Sequence, residues 1–200
     1  MHPDPQFRSV DHATCETLIA EVGFGTIFAA TPEGLRAART PLLSAGNGVV
    51  QFHLSARNAL TRHLAGGADA LIVVNGPDGY VSPRWYANRD TVPTWNYVSL
   101  ECEGPVTRMA DEGLEAFLQT AIAKHEARLG GEPWRAEESS GKTWAGLFKG
   151  IVGFDMAVRD WRPTFKLSQN KPPEDRARIA EGLATAGVPA LAHLVRGAGE

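Results

Sequence analysis

Two cysteines in 200 residues, Cys15 and Cys102, set the first limit. They lie far apart and carry no CxxC or other ligand spacing, so neither a disulfide framework nor a zinc site is encoded. Both are expected as buried thiols. No apolar run, such as residues 70–74, approaches the roughly 18 to 20 residues that a membrane helix needs. The N-terminal MHPDPQFRSV has no basic stretch leading into an apolar one, so it does not read as a secretory signal. The expected location is the cytoplasm, with no membrane partner. Positive charge is also in short supply. A formal net charge of -3 and a pI near 6.1 give no overall excess of Lys and Arg for neutralising phosphates. DNA as a partner is therefore not supported by charge. GxGxxG, GxxxxGK, HxxxH and GxSxG are all missing, which argues against a Rossmann site, a P-loop, a zincin and an α/β-hydrolase.

What is present describes one ordinary globular domain: 43% of residues are hydrophobic and 22% charged. The expected organisation is a single domain over residues 1–200, with a C-terminal helical extension from about 171. Asp11 is placed to cap a helix whose apolar residues Leu18, Ile19 and Val22 recur at helical spacing, and Gly23 stops it. Strands are expected at 25–30, 35–43 and 49–54, joined by the turn chemistry of Pro32-Glu33-Gly34 and Gly46-Asn47-Gly48. An antiparallel meander of this kind argues for a sheet that closes into a barrel.

The third strand runs straight into SARNALTRHLAGG, where Ser55 or Asn58 can cap a short helix ended by Gly66-Gly67. Here Ser55, Arg57 and Asn58 put a hydroxyl, a guanidinium and an amide beside a helix start. The junction reads either as a phosphate seat or as a plain helix cap with a solvated arginine. A fourth strand is expected at 69–75 and a fifth at 96–105. Between them, residues 75–97 hold all three tyrosines together with Trp85 and Trp95, interrupted by Pro77, Pro83, Pro93, Gly76 and Gly79. This stretch is expected to be an ordered loop whose rings pack as a barrel cap or line a binding-site wall.

Asp111 is expected to cap the longest helix, with Leu114, Phe117, Leu118, Ile122, His125 and Leu129 along one side and Gly130-Gly131 at its end. His125 reads as a core residue or as a ligand. Residues 133–146 read as a loop pinned by Trp134 and Trp144, and 151–158 as a strand. A polar segment, 165–170, precedes a final helix that starts at Pro172-Pro173 and carries Ile179 and Leu183. Everything from Gly187 on reads as a loose tail.

Four segments in this order, GPDGYVSPRWY, VPTWNY, IVGFDM and KLSQN, resemble the signature of the PaiB-like family of FMN-binding split-barrel proteins, described as negative transcriptional regulators. The resemblance spans about residues 7–183. It implies a mainly β, α+β fold, a six-stranded antiparallel split barrel with peripheral helices, working as a homodimer with FMN at the subunit interface. RTPLL and VVQFHLSARNA more distantly resemble the flavin-binding region of pyridoxamine-phosphate-oxidase-like proteins. Carried over, Arg39, Thr40, Pro41, Leu42 and Leu43 border the flavin ring, while His53, Ser55, Arg57 and Asn58 hold the phosphate. Asn58 stands where those oxidases often place a second cation, leaving Arg57 as the main charge on the phosphate. Trp95, Tyr97, Lys166 and Ser168 complete the expected cofactor border. Lys166 to Asn170 otherwise reads as the cap of the last helix.

Two functions follow. One is a flavin-dependent redox protein or sensor, an FMN-dependent oxidoreductase if it admits a small-molecule substrate, for which no catalytic base need be visible because the cofactor carries the chemistry. The other is a DNA-associated repressor in which flavin is regulatory or absent, although no helix-turn-helix stands out.

Overall fold

Asp11 does what its position predicts: its carboxylate accepts the Thr14 N–H at 2.7 Å, and α1 runs His12–Val22 until Gly23 turns the chain at φ 65°. The computed structural model describes residues 3–198. Seven strands follow: β1 Phe24–Thr31, β2 Gly34–Gly46, β3 Val49–Ser55, β4 Ala68–Val81, β5 Thr94–Arg108, β6 Ile151–Ala157 and β7 Asp160–Lys166. The helices beside α1 are α2 Ala59–Ala65, α3 Asp111–Leu129, α4 Gly141–Phe148, α5 Pro173–Thr185 and α6 Pro189–Gly197. The strands hydrogen-bond in the order β4-β1-β2-β3-β6-β5-β7, and β4 also pairs with β5. Six of the seven therefore close a circuit, and β7 hangs on β5. The fold class is α+β, an antiparallel split barrel with one strand more than the six expected.

Contacts divide the chain into two compact units. One comprises Ile19–Val73 and Cys102–Trp161. Its β1 and β2 pair from Phe24↔Pro41 to Thr31↔Gly34, and β3 pairs with β6 from Val49↔Ala157 to Ser55↔Ile151. Period-two alternation along β3 buries Val50, Phe52 and Leu54 and turns Gln51 and His53 the other way. Phe52 stacks on Phe154 with centroids 5.3 Å apart. Beside them Leu43, Met109, Leu114 and Phe117 form a cluster under α3.

The other unit comprises Met1–Leu18, Val74–Glu101 and Arg162–Glu200. Its core gathers Val81, Tyr86, Val98, Leu167, Ile179, Leu183, Leu191 and Val195. Residues 187–198 are thus no loose tail, and the last two positions of that expectation lie outside the described residues. Pro189 sits in the first turn of α6, and Leu191, Ala192 and Val195 are buried.

Other expectations need correction. β4 continues through Gly76, Pro77 and Gly79 to Val81, so the irregular stretch is only about residues 82–93. The glycines that read as strand breakers are packing sites. A Cβ on Gly76 would lie 2.9 Å from Val98, and one on Gly79 would lie 3.0 Å from Leu191 and 3.1 Å from Leu183. Of the five rings, Tyr86 is buried and Trp85 lies against Gly182, whereas Tyr80 and Trp95 stay substantially exposed. β7 was not among the expected strands, and Pro163 is a buried residue within it. Asp111 is the first residue of α3, not its cap. Ala110 holds the cap position and makes no side-chain bond. Leu129, assigned to the apolar face, is 77% exposed. Residues 133–146 contain a short turn of 3-10 helix and the start of α4, and Trp144 donates its indole N–H to Glu115 at 3.0 Å. Trp134 is 39% exposed. Both cysteines are buried thiols. Burial, then the charges of Asp11 and Glu16, push Cys15 up to about 11.

Candidate functional site

The β3-to-α2 junction is built from local bonds. Asn58 is the cap, accepting the Leu60 N–H at 2.9 Å. Ser55 accepts the Arg57 N–H on its hydroxyl at 3.3 Å, and its carbonyl takes the Thr61 hydroxyl at 2.7 Å. These bonds stiffen the corner that carries Arg57. Beside it opens a cleft of about 610 Å³, lined by Pro32, Glu33, Arg36, Arg57, Asn58, Arg62 and His63 among others.

Three arginines and one acidic residue, Glu33, line it. Arg36 comes from β2 and Arg62 from α2; Arg36 also donates to the Leu35 carbonyl at 2.9 Å. Among the described residues, neither Arg57 nor Arg62 pairs its guanidinium with a carboxylate. Guanidinium forks match phosphate oxygens two at a time. The donor set therefore fits a phosphate monoester. Sequence reasoning singled out Arg57 and Asn58 but missed the cationic partners. Arg62 stands four residues after the cap, a spacing that could have been read; Arg36 reaches the cleft only through the fold.

His53 does not line this cleft. Its ring is half-buried, edge-on to Phe117 at 5.6 Å, and its Nδ1 finds no hydrogen-bond partner among the described residues. Its carbonyl accepts the Thr40 hydroxyl at 2.5 Å. Burial holds the imidazole below its ordinary value. Since protonation is easier in the unfolded chain, this group adds stability above the unfolded pKa of about 6.5 and loses it as pH falls through the folded value. The melting temperature should drop between about pH 7.5 and about pH 5.5, and His53→Phe should remove part of that drop. An identical pH profile in the variant would clear His53 of this role.

Along β2, Arg39 is exposed and lies over the Phe24 ring at 5.0 Å. Leu42 and Leu43 are buried in the core. What the run from Thr40 to Leu43 offers a planar ligand is therefore chiefly backbone. In the other unit, Trp95 meets Tyr80 edge-on at 6.2 Å, and Tyr97 is half-buried. Lys166 and Ser168 line a different cavity, together with Thr94 and Asn96. The expected site residues thus do not share one pocket: Arg57 and Asn58 line the arginine cleft, Lys166 and Ser168 the second cavity. Half-buried His125 faces Gly23, its Cε1 lying 3.1 Å from where a Cβ on that glycine would be. No cluster of three or more potential metal ligands occurs among the described residues. No helix there is long and apolar enough to cross a membrane.

Residues 1–160 match the family model described as "Putative FMN-binding domain". The chain belongs to this FMN-binding family. Protease synthase and sporulation protein PAI 2 of Bacillus subtilis is 32% identical over 131 residues, 66% of this chain and 62% of that protein, which bears out the PaiB-like resemblance. The chain thus spans 62% of the length of that relative. An uncharacterized protein of Emericella nidulans is 28% identical over 202 aligned positions, covering 84% of this chain and 80% of its own. Among solved structures, the FAD and heme binding protein from Mycobacterium smegmatis superposes with a TM-score of 0.61 at 19% identity, covering 80% of this chain and 73% of that one. The flavocytochrome Anf3 from Azotobacter vinelandii gives 0.58 at 16%, with 82% and 72% covered. At such identities the shared property is the fold.

Proposed function

We propose that this protein is an FMN-dependent redox protein in which Arg36, Arg57 and Arg62 seat the cofactor's phosphate. The observation that carries the reading is that Arg36, Arg57, Arg62 and Asn58 line one cleft with a single carboxylate residue. Membership of an FMN-binding family supplies the ligand that such a cleft suits. Arg57 binds and orients the phosphate from a backbone corner already fixed by Ser55 and Asn58, so little loop ordering remains on binding. Bound flavin supplies the electron transfer, and the chain has only to hold it and admit a small-molecule substrate.

A homodimer belongs to this reading. Phe28 and Leu35, 39% and 82% exposed, border an apolar groove of about 590 Å³ with Leu71 and Val73. A second copy would take these side chains out of water. Titrating the purified protein with FMN and with riboflavin, followed by absorbance, tests the core of the reading. FMN should bind at least about tenfold more tightly, because only FMN presents a dianion to the arginines. Equal affinities would move the phosphate elsewhere, and no binding of either flavin would sink the proposal.

A further inference from the structure

The unit that holds α5 and α6 contains a second polar cavity, of about 270 Å³. Thr91, Thr94, Asn96, Lys166, Ser168 and Lys171 supply most of its wall. It is smaller than the roughly 300 to 1,000 Å³ of pockets that take drug-sized ligands. Two lysines line it. Lys166, at the end of β7, donates to the Thr94 hydroxyl at 2.5 Å, and Lys171, just before α5, lies over the Tyr86 ring at 5.4 Å. The one acidic residue on the wall, Asp4, takes the backbone and side-chain amides of Gln6. Among the described residues neither lysine pairs with a carboxylate.

Burial, and then the charge of Lys171, hold Lys166 below the ordinary lysine value. The fold therefore keeps two like charges on one cavity wall, partly desolvated, with neither ion-paired to a carboxylate among the described residues. The wall around them is held firmly. Ser168 adopts φ 60°, a left-handed conformation uncommon outside glycine, and its buried hydroxyl exchanges hydrogen bonds with the Asn96 amide at 2.8 and 3.2 Å. Strained backbone of this kind persists where the surroundings fix it, and it concentrates at ligand sites.

We propose that this cavity binds a small oxyanion, the carboxylate or phosphate group of a small molecule, between Lys166 and Lys171. The anion offsets the excess of two ammonium groups over the single carboxylate of Asp4, and the hydroxyls of Thr91 and Thr94 and the amide of Asn170 can donate to its remaining oxygens. Two sources share this chemistry: a free small anion, and the phosphate of FMN itself. The inference commits to the free anion and rests on residues that the arginine cleft does not use.

Calorimetric titration of the FMN-saturated protein with inorganic phosphate, and separately with acetate, decides it. Expected is one site per chain for at least one of the two probes. Lys166→Met and Lys171→Met should each weaken binding about tenfold or more, and Lys171→Met should leave FMN affinity unchanged. Without anion, Lys171→Met should melt no lower than the parent chain, since it removes a like-charge repulsion. Three results would overturn the proposal: no binding of either probe, binding unaffected by both substitutions, or FMN affinity falling in Lys171→Met. The last would assign the cavity to the flavin phosphate and refute the arginine seat as well. A loss of FMN affinity confined to arginine variants would leave both readings standing.

Discussion

Replacing Arg57 and Arg62 together by alanine should lower FMN affinity about a hundredfold and leave riboflavin affinity where it was. A hydrogen bond to a charged group contributes on the order of 1.5 to 3 kcal/mol. Both guanidinium groups are exposed, so the lower end applies to each after solvent screening, and two such losses amount to about two decades. Arg57 and Arg62 share one phosphate in this reading, so their effects need not add, and each single variant should lose about tenfold or somewhat more. The contrast with riboflavin isolates the phosphate, because the two ligands differ only there. Salt provides a second handle: the advantage of FMN over riboflavin should shrink as ionic strength rises, since exposed charges are screened within about 10 Å at 0.1 M. If the double variant loses FMN and riboflavin equally, the arginines act on the fold or the ring and not on the phosphate.

How far the sequence carried this reading depended on whether the deciding interaction was local. Asp11, Asn58 and Gly23 act on backbone groups within a few residues of themselves, so α1, α2 and the turns after them were legible from spacing alone. Pro172-Pro173 likewise announced α5. The second half of β4 was hidden, because what puts Gly76 and Gly79 in a strand is the bulk of Val98, Leu183 and Leu191, which comes from other elements. β7 was hidden by Pro163, a residue whose usual meaning in a strand is interruption. α6 could have been read: Pro189 in its first turn and Leu191, Ala192 and Val195 on one face are helix signals, outweighed there by the preceding glycine. The site shows the same division. Arg57 and Asn58 sit on a junction that announces itself, whereas Arg36 joins them from a strand some twenty residues earlier, which no local pattern reveals.

Gly104→Ala should be strongly destabilising. A Cβ on Gly104, buried within β5, would stand 2.1 Å from the Ala157 carbonyl oxygen and 3.1 Å from both the Ala157 carbonyl carbon and the Arg159 nitrogen. All three are backbone atoms, so no rotamer change relieves the clash. The neighbouring chain is also pinned. The Arg159 N–H donates to the Glu103 carbonyl at 2.9 Å, and the Arg159 guanidinium meets Asp69 at 3.0 Å and Glu103 at 3.4 Å. Backbone displacement must therefore break several bonds at once. Overpacking a well-packed interior typically costs about 1 to 3 kcal/mol, and a clash that only main-chain movement can relieve belongs at or beyond the upper end. For a chain of this size about 3 kcal/mol lowers the melting temperature by roughly 6 to 12 °C. Gly146→Ala supplies the contrast. That glycine lies inside α4 with nothing within 4 Å of its would-be Cβ, so alanine should add about 0.5 to 1 kcal/mol of stability through helix propensity. Calorimetry on the two variants should find shifts of opposite sign, the first several times the second. A Gly104→Ala protein melting within about a degree of the parent would show that the β5–β6 backbone yields far more readily than a closed strand circuit allows.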